Sequence, residues 1–210
     1  MDQSDVLKDL SHIRSLMEKS TKFISISGLS GILAGVYTLV AVAFLGWKLK
    51  IHWLVFGGSD RAEILFMDSA DPVGTMVATG VVLLLLSVAT GVYLALKKAE
   101  KAGQSAWNPA SRILLVSVAA PLLTGGAIAV ISLMKGYYYV LAPCFLVFYG
   151  LALYSGSRVS FKELRVFGVL QVILGLLAYE YMPYGLLFFA LGFGVLHILY
   201  GAVIIKKYGA

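Results

Sequence analysis

The chain has little with which to do polar chemistry. It holds one cysteine, Cys144, and three histidines, His12, His52 and His197. A lone cysteine excludes an intrachain disulfide and any cysteine-based metal site. The histidines are far apart in sequence, and none falls in a metal-binding spacing such as HExxH; phosphate-loop, dinucleotide-binding and haem-attachment motifs are absent too. The sequence therefore predicts neither a metal centre nor a cofactor. Charge is also scarce. Charged residues make up 13% of the chain, where soluble domains carry roughly 25%.

What is present is apolar. Hydrophobic residues make up 60% of the 210 residues, and the mean hydropathy is +0.88. A chain of this size cannot enclose that much apolar surface in water, so lipid is the expected solvent. The net charge of +6 does not point to nucleic acid. The basic residues stand at the ends of apolar runs, where membrane orientation places them.

The opening MDQSDVLKDL is acidic at Asp2, Asp5 and Asp9, unlike the basic start of a signal peptide, so this segment is expected to be retained. Residues 1–20 read as a cytoplasmic amphipathic helix, with Val6, Leu7, Leu10, Ile13, Leu16 and Met17 at helical spacing. Such a helix would lie on the membrane surface, or dock on the bundle or a second subunit.

A transmembrane domain is expected over 21–207, with six apolar runs at about 21–46, 72–96, 109–134, 137–155, 161–181 and 183–205. Each approaches the ~20 residues that cross a bilayer. The punctuation fits. Asp71-Pro72 and Asn108-Pro109 are cap-then-proline starts. Lys135-Gly136 is a turn, and Ser160 with Glu163 reads as a capping box. Pro121 and Pro143 fall inside the third and fourth runs as candidate kinks.

Orientation follows from lysine and arginine. With the N-terminus inside, the inner segments carry thirteen, among them Lys97, Lys98, Arg158, Arg165, Lys206 and Lys207, and the outer segments carry four, Lys48, Lys50, Arg61 and Lys135. That asymmetry places both termini in the cytoplasm. The one long outer loop is expected at 47–71, with Trp47 and Trp53 at the interface. Tyr137, Tyr138 and Tyr139 suit the same aromatic belt.

Glycine is abundant, at 22 residues. The odd-numbered helices share small residues seven apart: Gly28 with Gly35, Ala119 with Gly126, Gly168 with Gly175. The even-numbered helices carry Gly91, Gly150 and Gly201 ahead of their cytoplasmic ends. The pattern reads as three helical hairpins, with Ser27, Gly31 and Gly35 forming a further ladder. Small residues on one face let helices approach closely in lipid. These faces are the expected packing surfaces, through which the chain could also form homo-oligomers.

The stretch GVLQVILGLLAYEYMPYGLLFFALGFGVLHILYGAVIIKK, residues 168–207, resembles one repeat of the HdeD-type acid-resistance membrane proteins. Those are bacterial inner-membrane proteins of six helices in three hairpins. The resemblance implies an inner-membrane, stress-associated role. It supplies no catalytic residues. The N-terminal amphipathic helix and the long first outer loop depart from that pattern.

Deep polar residues are the remaining clues, because they are costly in hydrocarbon. Gln171 and His197 lie within the fifth and sixth runs, and Glu180 sits at the outer edge in AYEYMPY. They are the candidate ligand-binding residues, with interhelical packing as the plainer role. Ser30 in Gly28-Leu29-Ser30-Gly31 resembles a rhomboid-type serine, with His197 as its base. The serine is on the first helix rather than the fourth, and the glycine after the histidine is four residues on rather than three. The expected function is a non-enzymatic helper or stress-associated membrane protein. The alternatives are a small transporter or channel around Gln171, His197 and Glu180, and then an intramembrane serine hydrolase.

Overall fold

The computed structural model describes residues 28–49, 71–101, 103, 105 and 107–208. The N-terminal amphipathic segment, Ser27 and nearly all of the outer loop lie outside these residues. The described residues are helical, with no strand among them. The elements are α1 Gly28–Lys48, α2 Pro72–Lys101, α3 Pro109–Met134, α4 Leu141–Gly156, α5 Lys162–Glu180, α6 Gly185–Phe189 and α7 His197–Tyr208. Short 3₁₀ turns at Tyr138–Val140, Ser157–Val159 and Met182–Tyr184 precede or follow them, and a π-helical segment, Ala190–Leu196, joins α6 to α7.

Five helices are long and apolar enough to cross a membrane: α1, α2, α3, Tyr138–Val159 and Met182–Tyr208. α5 falls short of that standard because Lys162, Glu163, Arg165 and Glu180 crowd its 19 residues. All four charges stand in its first or last turns. The helix bounds shift from those expected. α2 runs on to Lys101, past Lys97 and Lys98, and α4 begins only at Leu141, after the 3₁₀ turn.

Several helix ends form as the local chemistry dictates. The Gly74 amide donates to Asp71 Oδ1 at 2.7 Å, which caps α2. Asn108 and Ser111 bond reciprocally, each side chain to the other's amide, at 2.9 Å, ahead of Pro109 at the first helical position. α3 stops at a left-handed Gly136, φ +75°. There the Tyr137 amide donates to Ser132 O and the Gly136 amide to Leu133 O, the paired closure that a left-handed glycine permits.

Two expectations fail. Ser160 and Glu163 form no capping box: α5 is capped at Phe161 without a side-chain bond, and the buried Ser160 Oγ has no partner among the described residues. Glu163 instead turns to the far end of the chain, accepting from Lys207 Nζ and from Tyr208 Oη. Pro143 does not interrupt α4. It is the third residue of that helix, where a missing amide breaks no intrahelical bond. Pro121 does lie inside α3.

The helices meet through two glycine seams of one design. A methyl group built on Gly150 of α4 would lie 2.6 Å from Gly168 O and 2.8 Å from the Val172 amide nitrogen, both of α5. A methyl on Gly201 of α7 would press equally on Gly28 O and on the Ile32 amide nitrogen of α1. The offsets match: Val172 is four residues after Gly168, as Ile32 is after Gly28. Further along, Gly175 abuts Val147 and Gly35 abuts Ile198, again in matching register. Gly31 lies against His197 O and the Gly201 Cα. Both seams are antiparallel.

The glycines thus join helices of different expected hairpins, the second to the third and the third to the first, rather than the two arms of one. The expected packing role of Gly91 and Gly126 is not met among the described residues: neither has an atom within 4 Å of where its Cβ would be. α2 and α3 are not seated on each other. Instead, Met76 of α2 packs against a cluster of Val42, Leu45, Leu49, Leu186 and Ala190. α3 packs on α4 through Ala129, Leu141 and Cys144, with Gly125 against the Phe148 side chain.

Candidate functional site

The deep polar residues converge on one carbonyl. α5 runs antiparallel to the chain's last helical stretch, as the pairs Glu163 with Lys207, Phe167 with Tyr200, and Gln171 with Gly192 show. That pairing brings Gln171, in the middle of α5, to the π segment. There Gln171 Nε2 donates to Gly192 O at 2.9 Å. His197 Nδ1 lies 3.0 Å from the same oxygen. A carbonyl can only accept, so Nδ1 carries the proton.

Nε2 of neutral His197 is then an acceptor, and Tyr149 Oη of α4 lies 2.9 Å away to donate to it. The imidazole is thus bonded at both nitrogens. It is also boxed by rings: Tyr149 and Phe193 stack on it at 5.4 and 5.6 Å between centroids, and Phe167 meets it edge-on at 4.8 Å. The cluster ties α4, α5, the π segment and α7 together.

The π segment explains how one carbonyl serves two side chains. A π turn displaces the backbone from the regular i to i−4 ladder, and such turns recur at functional positions. Gly192 also leaves room: a methyl there would fall 2.6 Å from Gln171 Oε1. Gln171 has no exposed surface. Its Oε1 and the Tyr200 Oη are buried without hydrogen-bond partners among the described residues, although Phe167 stacks on the Tyr200 ring at 4.7 Å. Buried polar atoms of this kind are costly.

The expected trio is therefore only partly assembled. Gln171 and His197 meet through Gly192. Glu180 does not join them. It is exposed at the last turn of α5, nine residues beyond Gln171, which is about 13 Å along the helix axis. His197 offers Ser30 no ring nitrogen, since both are engaged by Tyr149 and Gly192. No group of three or more His, Cys, Asp or Glu side chains suited to a metal occurs among the described residues. His12 and His52 lie outside those residues. Cys144 is buried, with its thiol 3.4 Å from Gly125 O.

Tyr149, Gly192 and Tyr200 went unremarked in the sequence. A tyrosine inside an apolar run reads like any lipid-facing aromatic, and nothing local marks a π turn. The one available signal was depth. Tyr149 falls well inside its run, twelve residues past the interfacial Tyr137, and beside Gly150, an expected packing residue.

All-helical structure with five membrane-length apolar helices is compatible with a multi-pass, membrane-embedded protein. No family model, curated protein or solved structure matches the chain.

Proposed function

We propose that this is a six-span inner-membrane protein of bacterial type, with both termini in the cytoplasm. We propose further that it acts as a non-enzymatic helper or stress-associated factor. The observation that carries this reading is the closed polar knot at Gly192. Gln171 and His197 both donate to the Gly192 carbonyl and the Tyr149 hydroxyl donates to His197, inside a box of rings. Groups so committed to one another act as interhelical ties.

Counting α5 as the sixth span rests on its length and its partner. Its 19 residues rise about 28 Å, close to the ~30 Å hydrocarbon thickness. It also runs antiparallel beside the last stretch from Glu163 to Gln171. The inward side is assigned by the lysine and arginine asymmetry. Resemblance to the HdeD-type proteins supports the stress-associated role, and the glycine seams suit a tightly packed bundle.

Cysteine accessibility tests the reading. Cysteines placed one at a time at Val172 and Ile198, beside Gln171 and His197, are expected to resist membrane-impermeant maleimide from both sides. A small transporter or channel is the second reading. The unpartnered Gln171 Oε1 and Tyr200 Oη favour it, as does the π turn. Labelling of either cysteine from one side would replace the first reading by this one. Fusion reporters at the two termini test the topology, and opposite locations would overturn it.

A further inference from the structure

The two glycine seams obey one rule. In each, a glycine on an odd-numbered expected span meets a glycine on the even-numbered span of the neighbouring hairpin, and matched residues follow at the same offsets. Gly28 meets Gly201, and Gly168 meets Gly150. Gly35 meets Ile198, and Gly175 meets Val147. Applied to the remaining pair of helices, the same rule places Ala119 of α3 against Gly91 of α2, Leu123 against Gly91 one turn on, and Gly126 against Val88.

Among the described residues, Gly91 and Gly126 have nothing within 4 Å of a built Cβ, and Val88 and Leu123 are exposed. The chemistry of the pair supplies a reason. Where the two formed seams have glycine at both crossing positions, this pair has Ala119 opposite Gly91. A methyl at the equivalent Gly28 would come 2.5 Å from Gly201 O, so alanine holds the backbones apart. The helices are nonetheless tethered: seven residues separate Lys101 from Pro109, a reach of at most about 29 Å.

We propose that α2 and α3 of one chain form a third seam, with Val88 facing Gly126, and that it is the one seam of the three that opens and closes. The other two seams stay shut, so the bundle closes as a ring of six spans and opens sideways toward the acyl chains between α2 and α3. This rests on the three-hairpin reading, and the partner is the same chain's own helix rather than a second copy.

Disulfide trapping in native membranes tests it. Full-length protein carrying Cys144→Ala, Val88→Cys and Gly126→Cys is oxidised. A control carries Cys144→Ala, Val42→Cys and Ala190→Cys, which share the apolar cluster joining α1 to the π segment. The expected result is an intramolecular disulfide in both proteins. Adding Ala119→Gly to the test pair should raise its yield about threefold, as removing the spacer from a small-residue interface allows. A crosslinked dimer instead would overturn the proposal by assigning these faces to a second copy. No bond in the test pair with a bond in the control would also overturn it, leaving the three-hairpin reading intact. No bond in either would overturn the seam together with the packing on which it rests.

Discussion

The α4–α5 pair and the α2 helix are both apolar, yet they are held in opposite ways. α4 and α5 approach until backbone touches backbone at Gly150 and Gly168, and they bury Leu146, Ala152, Leu164, Phe167 and Ala178. α2 is the longest helix described, at 30 residues, and Ala99 is its one buried residue. Length and apolarity equip a helix for lipid. They do not supply a partner. In hydrocarbon there is no hydrophobic force between helices, so association depends on close fit and on polar ties. α4 and α5 have both, while α2 carries small residues such as Gly80 and Gly91 with no described residue seated on them.

That contrast can be broken by substitution. The largest effect is expected for Gly150→Leu, whose side chain would have to displace the Gly168 carbonyl and Val172. A loss of about 3 kcal/mol or failure to fold is expected from such overpacking. Gly80→Leu on α2 enters open space and should melt in detergent at the wild-type temperature. Equal melting of the two variants would abolish the distinction.

Next comes the polar knot. His197→Ala leaves Tyr149 Oη and one side of Gly192 O unbonded and opens space among Phe167 and Phe193. A cost of about 2–3 kcal/mol is expected, read by reversible unfolding in mixed micelles. Tyr149→Phe keeps the ring and loses one hydrogen bond, so about 1 kcal/mol is expected. Were Tyr149→Phe as damaging as His197→Ala, the knot's strength would lie in that single bond and not in the ring box.

The smallest change belongs to Glu163→Gln. It weakens a tie to the exposed Lys207 and Tyr208 at the bundle's end, and exposed pairs contribute little. The melting temperature should move within measurement error at physiological salt. A large drop would sharpen the comparison differently, by making the Glu163 tie rather than the Gly192 knot the main clasp of α5 on the last helix.

The helix ends show why sequence reading succeeded in some places and failed in others. Asp71 and Asn108 cap with atoms three residues away, and Gly136 turns the chain alone, so each was legible from its neighbours. Ser160 and Glu163 have the right spacing for a capping box. Glu163 nevertheless serves residues 44 and 45 positions later, a competition that no local window contains. At the candidate site, Gln171 and His197 stood out because polar side chains are rare in apolar runs. Tyr149 did not, because its hydroxyl looks no different from those of the interfacial tyrosines. Glu180 stood out for the same reason as Gln171, but it is exposed at the helix end, where a charge needs no partner.

By itself the sequence determined the helices, most of their ends and their apolar lengths, and through lysine and arginine it supports an orientation. These properties depend on residues close together along the chain and on a solvent that rewards apolar surface whatever it faces. Only the tertiary structure decided which faces meet: Gly201 on Gly28, Gly150 on Gly168, Gln171 and His197 on one carbonyl, and Gly91 and Gly126 on none of the described residues. Lipid treats every apolar face alike, so hydropathy carries no record of partners. Backbone proximity and a shared carbonyl exist only once the helices are side by side.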